Sequence, residues 1–561
     1  MIILIKVMRK IIEMVVLLLF SVTLTAQNTT SPKYEYRAVW LTTIENLDWP
    51  KTIVKTPADT IAQQRELVAV LDSLQTLHVN TVMLQTRVRG DVIYPSAIEP
   101  FSHVLTGKSG KNPGYDPLAF AIEECHKRGM QLHAWIVTLP LGKKEHIKRL
   151  GARSLTRTHR NLCTFYKDNW YMEPGNPATV HYICRIVEEI TAKYNVDGIH
   201  HDYVRYPDRT IGYPDTKLHR TYGSGLSLAA WRRANISKIA KQVYATVKNI
   251  KPWVRVSCAP LGKYDDLTCY SSLGWNAYDA VFQEAQNWVR DGYMDILFPM
   301  LYFKGNNFYP FVLDWQEQSH GRHIVPGVGI YRLLPEYGGW SPLEIKRQLS
   351  TSRSAGTAGT AMFRAQHILE GGTAANIYGS VYHKPALVPP LSWAAAPAPQ
   401  APAALSVNRA GGSFELSWAS VAQPAGHPVT RYNVYAAVGS VVDLENIDNL
   451  VCTTTDTAYV WECTTNNAVA LAVTAVDAYG RESAPALWNC ESNYPSSPYE
   501  LFLPEPRTWG MRLEVYDIYG RCIYSGRYST RVVVGGLRSG HYQLKILGND
   551  GRVVESRWFN K

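Results

Sequence analysis

From Tyr36 to about His383, short β-prone apolar runs alternate with stretches of helical period. The runs are "AVWLT" from Ala38, "TVMLQ" from Thr81, "QLHAW" from Gln131, "GIHHDY" from Gly198, "RVSCA" from Arg255, "ILFPML" from Ile296, "IVPGV" from Ile324 and "TAMF" from Thr360, eight in all. Between the third and fourth, Val180, Ile183, Val187, Ile190 and Tyr194 recur at three and four residues, with Asn176 placed to cap a helix and Pro177 in its first turn. Ile61, Leu67, Leu71, Leu74 and Leu77 form a similar stripe after the first run. Eight strands, each followed by a helix-length segment, predict an α/β fold: a (β/α)8 TIM barrel over residues 27–384. In such barrels the chemistry sits at the C-terminal ends of the strands.

The pattern changes after the barrel. A Pro/Ala-rich stretch, residues 385–402, reads as a semi-rigid linker without a core of its own. The barrel, from Glu45 to His383, is therefore expected to fold without the C-terminal segments. Over residues 403–490, "SFELSWAS", "VTRYNVYAA" and "VALAVTAVDAYGRES" alternate as strands and resemble a fibronectin type III β-sandwich, with Trp418 and Tyr435 as core aromatics. That family's tyrosine is replaced here by Leu471. Residues 491–561 read as a small β-domain similar to type IX secretion sorting domains, although the expected asparagine-proline motif is only "NYPSSPYELFLPEP". At the other end, Lys6, Arg9 and Lys10 precede "IIEMVVLLLFSVTLTAQ", the layout of a signal peptide over residues 1–26. Export to the periplasm, the cell surface or the medium is expected. No later stretch approaches the ~20 apolar residues of a membrane span, so stable membrane insertion is not.

Composition narrows the partners. The formal charge is +11, and removal of the signal segment, which carries a net +2, leaves +9. The excess is scattered along the chain, which argues against nucleic acid and for an anionic envelope polymer. Of nine cysteines, Cys125, Cys184 and Cys258 fall in predicted helices or a strand and read as small buried hydrophobes; only Cys452 and Cys463 are placed to pair. With 34 Tyr and 16 Trp against 13 Phe, the aromatic surface mostly carries a polar handle, the kind of side chain that stacks on sugar rings. The expected partner is a polysaccharide; oligomeric state is not legible.

In order along Tyr36 to about Leu369, "EYRAVWLTTIENLDWP", "VNTVMLQTRVRGDVIYPS", "QLHAWIVT", "MEPGNPATV", "VDGIHHDYVRYP" and "DGYMDILFPMLYF" resemble the successive signatures of glycosyl-hydrolase-like family 10. The resemblance implies a glycoside hydrolase of bacterial envelopes, in a family with some members directed at peptidoglycan glycan. Glycoside cleavage needs one carboxylate at the anomeric carbon and one carboxylic acid for the leaving oxygen. The strand-top candidates are Glu45, Asp48, Asp91, Asp202 and Glu284. Asp202 is the first choice, as the negative charge opposite the anomeric carbon. Its strand resembles the "DG-x-D-x-D-x-E" strand of family-18 chitinases, but the final glutamate of that pattern is Val204 here. An Asp202–Arg205 ion pair that merely fixes the loop is the structural alternative.

For the partner carboxyl, Glu284 in "VFQEAQNW" and Asp91 in "RGDVIYPS" both stand. Glu284 also reads as a helix-start residue, and Arg87 and Arg89 would favour an ionised Asp91. Asp295 precedes its strand and reads as structural. Asp48, Trp49, Gln85, Arg87, His133, Trp135, His200, Arg205, Tyr206, Gln283 and Tyr302 are the expected substrate-binding walls. Neither cofactor nor metal is expected, since His133, His200, His201 and Asp202 show no helix-spaced ligand motif and adjacent histidines on a strand face opposite ways. The competing functions are a non-catalytic carbohydrate-binding protein and a metal-dependent polysaccharide deacetylase.

Overall fold

The computed structural model describes residues 31–207, 210–370, 372–410, 412–422, 428–439, 441–463, 469–490, 500–503, 511–529, 531–534, 537–538, 540–548 and 550–560. The expected signal segment and most of the "NYPSSPYELFLPEP" stretch lie outside the described residues. Among the described residues no helix is long and apolar enough to cross a membrane.

Eight parallel staves form the first part of the chain: β1 (Tyr36–Leu41), β2 (Thr81–Arg87), β3 (Gln131–Val137), β4 (Gly198–Asp202), β5 (Arg255–Cys258), β6, β7 and β8 (Gly359–Met362). Two of them are broken. β6 consists of Ile296–Leu297 and Met300–Leu301 around Pro299, and β7 of His323–Ile324 and Gly327–Val328 around Pro326. Proline has no N–H for the ladder but keeps its carbonyl. The Pro299 carbonyl accepts from Gly327 N at 2.8 Å and the Pro326 carbonyl from Ala361 N at 3.0 Å, so pairing continues across each break. β8 then pairs with β1, Tyr36 opposite Gly359, and the sheet closes as the sequence pattern predicts.

Helices follow the staves in turn: α1 (Pro57–Thr76), α2 (Pro117–Lys127), α3 (Pro177–Lys193), α4 (Leu228–Ile250), α5 (Ala285–Arg290), α6 (Tyr309–Glu317), α7 (Pro342–Ser354) and α8 (Thr373–Val381). The predicted start of α3 is present, with Asn176 Oδ1 accepting from Ala178 N at 3.0 Å and Pro177 at its first position. In α1 the stripe is narrower than expected: Leu67, Leu71 and Leu74 are buried, but Ile61 is exposed. The main core lies between staves and helices, and a second, smaller one fills the barrel.

His133, His200 and His201 are buried with the barrel staves, and His323 is largely covered at the start of β7. His200 Nε2 accepts from the Trp40 indole N–H at 3.0 Å, so its Nδ1–H faces Ser257 Oγ at 3.0 Å. Both ring nitrogens are thereby occupied and the ring is neutral, since burial holds its pKa well below 6.5. His133 packs so close to β4 that a Cβ on Gly198 would meet its ring at 2.6 Å, which leaves only glycine there. Burial likewise pushes His133, His201 and His323 down to about 3.

The bottom of the barrel is charged and covered. Asp295, as expected, has a structural place: it accepts from Val256 N at 2.9 Å and Trp393 Nε1 at 3.1 Å and pairs with Lys248 at 2.7 Å. Trp393 belongs to the stretch that reads as a semi-rigid linker, and that stretch is docked at several points. Leu391 is buried, Leu387 N donates to the Lys33 carbonyl, and Leu391 N to the Tyr479 carbonyl. Beyond it lie a three-stranded antiparallel sheet (Ala403–Ala410, Ser413–Ala419, Ala458–Glu462) and a four-stranded one (Leu450–Thr454, Val429–Val438, Val469–Asp477, Ala486–Cys490). Trp418 and Tyr435 are buried there. Cys452 and Cys463 do not pair, which corrects that expectation: Cys452 lies in the four-stranded sheet, and Cys463 follows a strand of the other.

These sheets grip the barrel. Arg431 Nη2 reaches Asp197 at 3.2 Å, Lys33 pairs with Glu482 at 2.7 Å, and Arg255 Nη2 donates to the Tyr479 carbonyl at 3.3 Å. Burial opposes ionisation of Asp197, but His126, Arg431 and the Leu132 N–H outweigh it and hold that carboxyl far below its usual range. The barrel and most of the two sheets accordingly share one compact unit, with residues 437–441, 465–470 and 489–561 in a second. The second has its own four-stranded antiparallel sheet (Cys522–Arg527, Arg512–Asp517, His541–Leu547, Val553–Asn560) and a core that includes Leu513, Val515, Leu544 and Ile546.

Candidate active site

β4 delivers Asp202 to the top of the barrel interior, on the same side as His200. The chain then turns sharply: Tyr203 sits at φ +53°, the left-handed region where a bulky residue is rare, and its N–H donates to Asp202 Oδ1 at 2.7 Å. Backbone strain of this kind clusters at functional sites. The Tyr203 ring is swung out, 40% exposed, with the Arg205 guanidinium stacked 4.4 Å from its centre. Among the described residues Arg205 forms no ion pair with Asp202, so the loop-fixing alternative for this carboxylate falls.

The Asp202 carboxyl is pushed up to about 6. Burial is the cause; the charge of Arg205 and the Tyr203 N–H pull the other way. No neighbouring carboxylate contributes to the rise. This is the desolvation route to a proton-holding carboxyl, distinct from the shared proton of a carboxylate dyad. Trp135 Nε1, Arg205 Nε and His201 Nε2 are buried without hydrogen-bond partners. Tyr302 completes the floor, its hydroxyl kept protonated by burial and then by the Asp202 charge.

An aromatic track leads outward from there. Trp40 meets Tyr302 edge-on at 6.4 Å, Tyr302 meets Phe363 at 5.2 Å and Tyr331 at 6.0 Å, and Tyr331 meets Tyr337 at 5.3 Å. Tyr337 is exposed, as are Tyr203, Trp275 and Phe303, all in segments that follow stave ends. Of these, only Tyr302 is among the walls expected from the sequence; "LYF", "IYRL" and "MFR" at stave ends are the signal that could have found Phe303, Tyr331 and Phe363.

Several expected wall residues are placed otherwise. Asp48 is enclosed by Thr42, Arg364 and the Gln366 N–H, which joins the loops after β1 and β8. Trp49 donates to the Gln63 carbonyl at 2.9 Å, and Gln85 Oε1 accepts from Thr43 N and Ile44 N. Arg87 makes a two-pronged pair with Glu99, both bonds 2.7 Å. Tyr206 is buried and accepts from Asn235 at 3.3 Å, while Gln283 links the Val204 carbonyl to Leu261 N. These six residues, with His133 and His200, hold the loops and the interior, and only Trp135, Arg205 and Tyr302 of the expected walls stand around Asp202.

Glu284 is turned away as well. Its carboxylate accepts from Ser237 on α4 at 3.1 Å and from Asn287 at 3.3 Å, with Arg233 at 3.8 Å. Phe282, at φ +60°, reverses the chain just before it, so Gln283 is the residue that points inward. Asp91 is buried just after β2, with no hydrogen-bond partner on either carboxylate oxygen.

Closed staves, a buried acid at the fourth and an aromatic approach define the protein as a glycoside hydrolase of the (β/α)8 class, and its relatives agree. "Glycosyl hydrolase YngK" of Bacillus subtilis (strain 168) is 31% identical over 389 residues, 66% of this chain and 76% of that protein. "Glycosyl hydrolase DigH" of Escherichia coli (strain K12) is 31% identical over 380 residues, 61% of this chain and 85% of that one. The chain belongs to the glycosyl hydrolase-like 10 family, whose pattern matches residues 35–349. Among solved structures, α-L-fucosidase isoenzyme 2 from Paenibacillus thiaminolyticus overlaps 62% of this chain and 49% of its own at 18% identity, with a TM-score of 0.43.

Proposed function

We propose that the protein is exported to the cell envelope and cleaves O-glycosidic bonds in a polysaccharide, bacterial cell-wall (peptidoglycan) glycan first, with Asp202 as the group that protonates the leaving oxygen. The observation that carries this is the Asp202 carboxyl itself: at about 6 it holds its proton into the range where a general acid works. This role differs from the one expected from the sequence, negative charge opposite the anomeric carbon. A carboxyl lifted by burial suits the acid half of two-carboxylate chemistry; the ionised partner is a different group. The aromatic track supports a chain of sugar rings, each able to lay an apolar face on a ring while its hydroxyls find polar tips. The signal-like N-terminal segment supports export, and the +9 of the remaining chain supports an anionic envelope substrate.

The test is the release of reducing ends from purified peptidoglycan glycan strands, set beside uncharged β-glycans, across pH 4 to 8. Expected is release from the cell-wall glycan that declines as pH rises past about 6, because the Asp202 proton is lost. Release confined to uncharged glycans would overturn the substrate, and a rate that climbs through pH 7 would overturn the role of Asp202.

A further inference from the structure

Asp91 presents a buried carboxyl group without a hydrogen-bond partner. It is 1% exposed and neither Oδ1 nor Oδ2 has a hydrogen-bond partner. A carboxylate removed from water in this way is costly unless paired. Two histidines stand beside it, His103 at the start of the short helix His103–Thr106 and His146 in the helix Lys144–Leu150. One carboxylate oxygen and one nitrogen from each ring lie within 4.8 Å of one another. His146 Nε2 comes to 3.9 Å from Asp91 Oδ2, too far for a hydrogen bond. Nδ1 of both rings is also buried and unpartnered, so each of the three clustered side chains carries at least one unsatisfied polar atom.

We propose that Asp91, His103 and His146 bind one first-row divalent cation, Zn2+ by the chemistry of its donors, and thereby clamp the segments after β2 and β3 at the rim of the mouth. Two imidazoles and one carboxylate suit such an ion, whereas Mg2+ and Ca2+ take oxygen sets. Ligand atoms about 2 Å from a tetrahedral ion stand roughly 3.3 Å apart, so the side chains need to close by no more than about 1.5 Å. An outer partner is in place: the Arg89 carbonyl lies 3.0 Å from His146 Nε2 and accepts its proton, which leaves Nδ1 a free lone pair. Three protein donors leave a coordination position open. The site is distinct from the set His133, His200, His201 and Asp202, in which His200 has no free nitrogen. One group opposes the ion: the Arg149 guanidinium contacts His103 Nε2 and is exposed on its outer side.

The full chain, stripped with chelator and dialysed, should take up one equivalent of Zn2+ in calorimetry, and Co2+ should give the visible absorption of a four- or five-coordinate ion. Asp91→Asn and His146→Gln should each weaken binding at least ~100-fold, while Arg149→Ala should tighten it. Absence of stoichiometric binding and of the Co2+ bands in the unaltered chain overturns the site, and this reading does not depend on the variants folding. Binding that survives both substitutions overturns it equally, since surface histidines would then be the ligands.

Discussion

Asp202→Asn should lower glycan hydrolysis at least ~10³-fold, about 4 kcal/mol of barrier, while the folded protein gains stability at neutral pH. The two effects have one origin. Burial raises this carboxyl from 3.8 to about 6, so the fold disfavours its ionised form. Its stabilising contribution is complete below pH ~4, where folded and unfolded chains both hold the proton, and it is lost as pH rises through about 6. At pH 7 the ionised group therefore costs the fold on the order of 3 kcal/mol, which asparagine, similar in shape and without charge, does not. Melting temperatures of the two proteins should coincide near pH 4 and separate in the variant's favour above pH 6. On substrates whose leaving group departs without a proton the rate loss should be much smaller. A variant that melts lower at pH 7 and hydrolyses normally would show Asp202 to be a fold residue.

A chain that ends at residue 402 should lose at least ~3 kcal/mol of stability, with a fall in Tm of about 4 °C or more. Truncation removes Arg431 from Asp197, Glu482 from Lys33, and the Ala478 and Tyr479 carbonyls from Arg255. Loss of one partner from a buried pair typically costs ~3–5 kcal/mol, because the other charge stays where water cannot reach it fully. Urea unfolding of the full and shortened chains measures the difference directly. Equal midpoints would show that the sheets merely sit beside the barrel.

The stave order is legible because each stave is a short apolar run and each helix keeps its period, and "VDGIHHDYVRYP" marks the right stave end. What escapes is direction. Alternation tells that His200 and Asp202 share a side, but not that Trp40 and Ser257 occupy both nitrogens of His200. Glu284 is misplaced by the pattern because one left-handed residue, Phe282, exchanges the facing of Gln283 and Glu284, and no composition rule reports that. The Pro/Ala-rich stretch reads as a spacer from its average character, yet Leu387, Leu391 and Trp393 are spaced to dock. His103 and His146 lie 12 and 55 residues beyond Asp91, in segments of no shared period, so only the folded chain brings the three together.

The histidines enclosed with the staves make the protein a proton acceptor when it unfolds. His133, His201 and His323 sit at about 3 and His200 lies well below its usual value, against 6.5 for an open chain. Each contributes stability that is intact above pH ~6.5 and drains away as the medium acidifies toward pH 3. Near pH 5 the opened chain captures roughly four protons at these rings and releases about one from Asp202, so acid erodes the fold by roughly 4 kcal/mol per pH unit from these groups alone. Acidity that keeps the Asp202 proton in place therefore also withdraws support from the barrel around it, and with the role proposed for Asp202 the expected working range is bounded below by unfolding and above by ionisation.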